Sequence, residues 1–494
     1  SAAAATPLWP QPVSSQLGEL SLTLASDFTF KLTNAEDSPF IDQAISRYVG
    51  LIGGSQSEKT LRETTLSACS ITVEELNENE PETLQPGVDE SYSLNIDAAG
   101  GCDISSKTVW GALHAMETFT QLLQRSDSTV TCDYAPASIT DSPRFTHRGM
   151  LIDSSRHFLP VSEIERLIDA LPMNKFNVLH WHMVDAQSFP VNTPSAPDMI
   201  KGAYSPSAVY SMDEIKGLNE FANNRGVRLF MEVDIPGHAG SWAAGYPEIM
   251  ADCLDYYTNI NNYALNPTLP ETYDIVAKVL GDIITTTGVK YFHVGGDEVV
   301  YGCWANDASI VAFMQQQGWT DYDQLLEYFV LKVDKIVRDL GATPVYWNEV
   351  FSAGVGVEPD TIFEVWTDQS QMALIADANF TIVSAPSDVW YLDHADNTWD
   401  VMYNYDPTSD LSSSQTSLVL GGEVAMWGEH VDENNIESII YPRASSVGER
   451  LWSPSDVVSS DAAKDRFNLQ RCRMIQRGFH PSAIEPGYCG QALV

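Results

Sequence analysis

Basic residues are scarce in this 494-residue chain: 27 Lys and Arg stand against 67 Asp and Glu, a formal net charge of −40. Nucleic acids and anionic membranes are bound through a basic face that releases counterions, so this balance argues against both as partners. Long apolar runs are missing too. No stretch reaches the roughly 18 apolar residues of a membrane-spanning helix, and the opening "SAAAATPLWPQP" lacks the basic region and apolar core of a signal peptide, as a mature end left by cleavage would. Internal repeats are absent, and low complexity is confined to the alanine-rich start and "DLSSSQTS" at 410–417. The seven cysteines (Cys69, Cys102, Cys132, Cys253, Cys303, Cys472, Cys489) show neither C-x-x-C nor zinc-type spacing. Disulfides in an oxidising compartment therefore fit better than a metal, and the odd number leaves at least one thiol unpaired. One sequon, Asn379-Phe380-Thr381, makes Asn379 a glycosylation candidate in such a compartment.

What is present points to a folded, two-domain protein. Apolar residues make up 44% of the chain and aromatics 10%, which excludes a mainly disordered polymer. The length exceeds one ordinary core. Residues 1–142 mix alternating stretches such as "LSLTLASDFTF" and "SYSLNID" with the helical pattern "SKTVWGALHAMETFTQLLQR", as a small α+β domain would. "DSPRF" at 141–145 punctuates the chain, and residues 143–494 follow another rhythm. Short β-rich runs recur at 145–153, 177–185, 228–234, 290–297, 343–349, 360–366, 380–386 and 417–427, with amphipathic helices such as "VSEIERLIDALPMNKF" and "YDQLLEYFVLKVDKIVRDLG" between them. Eight strands with crossover segments predict an α/β fold, a (β/α)8 TIM barrel with its site at the strand C-terminal ends.

Those ends collect acids and aromatics. In strand order they bring Arg156; His180, His182 and Asp185; Asp234 and His238; His293, Asp297 and Glu298; Trp347 and Glu349; Trp366; Trp390, Tyr391 and Asp393; and Glu423, Trp427 and Glu429. Indole faces cover apolar sugar faces and carboxylates grip hydroxyls, so the mixture suits a sugar pocket. The blander reading puts some of the tryptophans in the barrel core. His180 and His182, two apart on a strand, share a face; buried, hydrogen-bonded histidines explain them better than a metal site, because a full ligand set is missing.

In "FHVGGDEV" (292–299) two acids sit side by side after a glycine pair. Regular strand neighbours point to opposite faces, so both can enter one site only where the strand ends and Gly295-Gly296 free the backbone. Sharing a site should raise one pKa and leave that group protonated as an acid beside an ionised neighbour. Ordinary glycosidases place two carboxylates on opposite sides of the scissile bond, roughly 5–9 Å apart. Adjacent acids suit better the exception in which the substrate's own 2-acetamido group is the nucleophile.

Ten motifs in order carry a specific resemblance: "LWPQP", "TVWGALHAMETFTQLL", "RGMLIDSSRHFLP", "NKFNVLHWHMVDAQSFP", "DIPGHAGSW", "HVGGDEV", "WNEVF", "VWYLD", "GGEVAMWGEHVD" and "PRASSVGERLW". Over nearly its whole length the chain resembles the β-N-acetylhexosaminidases of glycoside hydrolase family 20, most closely the eukaryotic lysosomal type. The resemblance implies a retaining exo-enzyme without a cofactor or metal, acting on glycans ending in β-linked GlcNAc or GalNAc. It implies Glu298 as general acid/base, Asp297 as the carboxylate that orients the acetamido group, and Tyr391 as a donor to the acetamido oxygen. Arg156, Asp393 and Glu429 would hold sugar hydroxyls, Trp347, Trp366 and Trp427 would wall the pocket, and Asp185, His238 and His293 would support it, His238 by relaying to the acid. Asp393-His394 replaces the Asn-Arg pair with which one subunit type receives anionic sugars, so Asp393 favours neutral ones, while His394 can become cationic at acid pH. Cys253 with Cys303 and Cys472 with Cys489 fall at family disulfide positions, and the pairing of Cys69, Cys102 and Cys132 stays open. A homodimer in a secreted or lysosomal/vacuolar setting is also implied. The competing readings are a metal-dependent barrel hydrolase using His180 and His182, and a catalytically dead chitin-binding protein.

Overall fold

A computed structural model describes residues 6–34, 38–53, 65–76, 84–126, 129–490 and 493–494. The first six strands, β1 (Ser14–Leu32), β2 (Thr65–Val73), β3 (Tyr92–Ile96), β4 (Cys102–Ser106), β5 (Leu123–Ser126) and β6 (Thr129–Asp141), form one mixed sheet in the order β1-β2-β4-β3-β6-β5. Helices Pro39–Ile52 and Val109–Gln121 pack against it. Every residue of Val109–Gln121 is buried, polar ones included.

Eight parallel strands follow and close into a barrel: β7 (His147–Asp153), β8 (Val178–Val184), β9 (Arg228–Val233), β10 (Tyr291–His293), β11 (Thr343–Trp347), β12 (Ile362–Val365), β13 (Thr381–Ser384) and β14 (Val419–Met426). Their apolar composition reflects a sheet covered on both faces. The two parts meet through charges that are buried but matched. Arg148 grips Glu90, with Nη1–Oε1 at 3.0 Å, and Lys175 donates to Asp141 at 2.7 Å. Buried ions persist only when paired in this way.

Three layers fill the barrel. Val178, Phe230, Val345, Ile362 and Val383 form an apolar layer at the N-terminal end of the strands, and Leu151, Trp347, Ala385, Tyr391 and Ala425 form another at the C-terminal end. Between them lies a polar layer where branched aliphatic side chains are usual. His147 and His180 face the two oxygens of Glu423 at 2.5 and 2.9 Å, and His180 and His293 face Glu232 at 3.2 and 3.1 Å. Gly149 makes room for Glu423, because a Cβ there would lie 2.5 Å from the Glu423 Cγ.

Disulfides join Cys69 to Cys102, Cys253 to Cys303 and Cys472 to Cys489, leaving Cys132 buried and free. Asn379 is exposed on the turn before β13. Among the described residues no helix is long and apolar enough to cross a membrane.

Candidate active site

A cavity of about 170 Å³ opens at the C-terminal ends of the barrel strands. Ten of the residues to which the family resemblance gives a role line it: Arg156, Asp185, His238, Asp297, Glu298, Trp366, Tyr391, Asp393, Trp427 and Glu429. His182, Asp234 and His394 complete the wall. A more apolar cavity of about 260 Å³, lined by Phe230, Tyr291, Val345 and Leu420, lies at the opposite end, where barrels do not place their chemistry.

The acidic pair owes its geometry to the end of β10. That strand stops at His293, and Gly295 and Gly296 adopt φ of 71° and 94°. A side chain would not fit at either position: a Cβ on Gly295 would lie 1.8 Å from Asp234 Oδ1, and one on Gly296 2.6 Å from Val350 Cγ2. The Gly296 N–H donates to Asp234 at 2.9 Å and the Gly295 carbonyl accepts from Trp347 N–H at 3.0 Å, which pins the turn between β9 and β11. Glu298 itself sits in the left-handed region at φ 47°, a strained backbone of the kind stored at functional sites. The result is convergence. His238 Nε2 lies 3.8 Å from Asp297 and 3.5 Å from Glu298.

The two acids are electrostatically unlike, but not in the order expected for Glu298 as the protonated member. Burial raises the pKa of Asp297, whose side chain is 12% exposed, despite the opposing charge of His238. Glu298, 60% exposed, is lowered, first by the approach of His238 Nε2 at 3.5 Å. The difference comes from depth: Asp297 lies beside the buried Asp234, itself raised by burial and by Asp297, whereas Glu298 faces water.

A row of paired charges supports this pair. Asp185 accepts from His182 at 2.8 Å and His238 at 3.1 Å, and also meets Arg156 Nη2 at 2.9 Å. Arg156 is further held by Asp153 at 2.9 Å and Gln187 at 3.0 Å, with its guanidinium 5.1 Å from the centre of the Trp427 ring. Trp366 donates to Glu349 at 2.8 Å; burial, then Asp297, pushes that carboxyl up to about 7. Burial likewise raises the Tyr391 phenol, which stays neutral and able to donate.

Several residues fall elsewhere than expected. Trp347, 1% exposed, and His293 lie beneath the cavity. His293 instead accepts from the Gly295 N–H at 3.1 Å. Glu423 belongs to the middle layer of the barrel, three residues before β14 ends, and Trp390 is buried with its N–H on the Met402 carbonyl. Neither Asp153 nor Gln187, the anchors of Arg156, stands out in the sequence, and Asp234, the buried neighbour of Asp297, appears there only among the strand-end acids, without a role. Their signal was faint: Asp153 closes a strand, and Asp234 follows Glu232 by two on one strand face. The histidine pair is committed to carboxylates, His180 to Glu423 and His182 to Glu232 and Asp185. Among the described residues His180–Glu232–His293, His180–Glu364–Glu423, Asp185–Asp234–His238 and His238–Asp297–Glu298 converge closely enough to hold a cation; only the last two reach the cavity.

These charges make stability pH-dependent. Burial alone would lower His182, yet Glu232 and Asp185 outweigh it and push its pKa up to about 10. Since an unfolded histidine titrates near 6.5, its contribution is complete below about 6.5 and is lost as pH rises towards 10, at up to about 1.4 kcal/mol per pH unit. His180 and His238 are shifted the same way. Tm measured by scanning fluorimetry is therefore expected to fall steadily from pH 7 to 10; a flat profile would contradict charged histidines.

Residues 145–455 match the catalytic domain of glycosyl hydrolase family 20, and residues 8–122 match a β-acetyl hexosaminidase-like domain. β-Hexosaminidase subunit A1 of Dictyostelium discoideum is 36% identical over 97% of this chain and 90% of its own length. The human β-hexosaminidase subunit beta is 36% identical over 98% of this chain and 89% of its own. The crystal structure of a Flavobacterium johnsoniae chitobiase superposes with a TM-score of 0.83 at 26% identity, over 96% of this chain and 73% of that one. The chain belongs to glycosyl hydrolase family 20 and is a glycoside hydrolase of the β-hexosaminidase type.

Proposed function

We propose that the protein is a retaining exo-β-N-acetylhexosaminidase in which the substrate's 2-acetamido group is the nucleophile. The observation that carries the reading is the approach of Asp297 and Glu298 to one nitrogen, His238 Nε2, in a single small cavity. Two carboxylates so placed suit an acid and an amide-orienting base better than groups on opposite faces of a sugar. In the first step the acetamido oxygen attacks C1, the glycosidic C–O bond breaks, and Glu298 gives its proton to the leaving oxygen. Asp297 accepts from the acetamido N–H and stabilises the cationic oxazolinium, while Tyr391 donates to the acetamido oxygen. In the second step Glu298 takes a proton from water as its oxygen bonds to C1, opening the ring and releasing the sugar with its β configuration.

The cavity is smaller than the roughly 300–1,000 Å³ of pockets for drug-sized ligands, which supports removal of one terminal sugar at a time. Arg156, Asp393 and Glu429 would bind its hydroxyls, and Trp427 its apolar face. Asp393, a carboxyl group that accepts from hydroxyls rather than a cation that would hold an anionic sugar, supports neutral GlcNAc or GalNAc. The pKa of Glu298 is lowered where the carboxylate faces water, so acid conditions, and displacement of that water by the sugar, would both load it with the proton it must donate. Three disulfides support action in an oxidising setting, secreted or lysosomal. Hydrolysis of p-nitrophenyl N-acetyl-β-D-glucosaminide followed by NMR is the test: the β-anomer should appear first, and an initial α-anomer would refute the mechanism.

A further inference from the structure

Both oxygens of Glu232 are occupied, and each serves a different part of the site. Glu232 is fully buried on β9, below the cavity. Its Oε2 lies 2.5 Å from His182 Nδ1, whose other nitrogen, Nε2, lies 2.8 Å from Asp185 Oδ2. Asp185 Oδ1 in turn lies 3.1 Å from His238 Nδ1, and His238 Nε2 faces Glu298. The other oxygen, Oε1, accepts from Trp347 Nε1 at 2.8 Å, and the Trp347 ring lies 6.3 Å from that of Trp427. We infer that Glu232 is a positioning residue that aligns the two halves of the site together: the acid, through His182, Asp185 and His238, and the pocket floor, through Trp347.

The chemistry of His182 is the reason the first arm can work. Carboxylates face both its nitrogens, so only an imidazolium, with a proton on each, satisfies both. Glu232 is the buried anion that keeps it so; against the burial penalty, His182 first of all holds its own carboxyl well below the usual range. The other groups facing Glu232 are His180 at 3.2 Å from β8, His293 at 3.1 Å from β10 and, across the barrel on β12, Glu364. Around His182 stand Asp185, Asp234 and the Trp427 ring at 4.9 Å. In Glu232→Gln the amide would donate to His182 Nδ1, and a neutral ring would still donate to Asp185. His182 would then titrate near the ordinary histidine value, within the working pH range.

This inference rests on the hydrolase reading above. Its test is steady-state hydrolysis of p-nitrophenyl N-acetyl-β-D-glucosaminide by the full chain between pH 4 and 9. Breaking the acid arm alone, His182→Gln is expected to lower kcat by about tenfold or more with little change in KM; breaking the floor arm alone, Trp347→Phe is expected to raise KM by about three- to tenfold with a smaller effect on kcat. Glu232→Gln, whose remaining carbonyl oxygen still accepts from Trp347 Nε1, should lower kcat with little change in KM and introduce an ionisation between about pH 6 and 8 into kcat/KM, absent from the wild type and abolished in the double variant with His182→Gln. Glu232→Asp, which keeps the charge, should not show it. Wild-type kinetics in Glu232→Gln, or a loss of activity with an unchanged pH profile, would overturn the inference. Should Glu232→Gln fail to fold, the two single-arm variants decide: kcat and KM effects that separate support it, and effects on the same parameter overturn it. If the wild type released no nitrophenol, the hydrolase reading itself would have failed.

Discussion

Glu298→Gln is expected to lower kcat by at least about 10²-fold, the scale of general acid catalysis, while leaving the cavity intact. Glutamine keeps the size of the side chain and its reach towards His238 but has no proton of suitable acidity for a leaving alkoxide. The loss should shrink with p-nitrophenolate as leaving group, which departs with little protonation, and grow with an alkyl or sugar leaving group. Asp297→Asn should fail differently. The amide no longer offers an anion to the developing oxazolinium, so about 10²-fold or more should be lost whatever the leaving group. That contrast separates the two roles. Equal dependence on the leaving group in both variants would merge them, and full activity in either would remove that residue from the mechanism.

Glu423→Ala is expected to destabilise the fold by about 3–5 kcal/mol, the cost of removing one partner from a buried charge cluster. Both of its oxygens are used inside the barrel, one by His147 and one by His180. His180, raised well above the ordinary histidine range, would lose a counterion, and the space beside Gly149 would become a cavity. Urea unfolding and a Tm lowered by at least about 5 °C are the readouts. A change within about 0.5 kcal/mol would mean that the middle layer contributes little, as a surface site would. Because Glu423 lies beneath the cavity, residual activity in the folded variant at low temperature should exceed that of Glu298→Gln.

The eight barrel runs were legible because strands buried on both faces leave continuous apolar signals, and the acids because "GGDEV" ends one of them. Less could be read of how deep each side chain sits. Glu423 and Glu429 lie six residues apart on the same stretch, yet one is sealed in the barrel and the other is half exposed at the rim. Trp347 and Trp366 both lie near the ends of strand runs, and only Trp366 reaches the cavity. Depth depends on where each strand stops and on how neighbouring strands are staggered, and neither is a local property of the chain.

The cysteines divide in the same way. Their number and spacing argued for disulfides and one free thiol, but which N-terminal cysteine stays single was settled by β2 lying beside β4, which puts Cys69 next to Cys102.

The amino-acid sequence alone determined the barrel, the small domain before it and the two adjacent acids, since these depend on local periodicity and on a glycine pair free to turn. The tertiary structure alone decided which acid is raised and which is lowered, and that Glu232 reaches both the acid and the pocket floor. Burial and the distance between charges on different strands fix those properties, and both come into being only when the barrel closes.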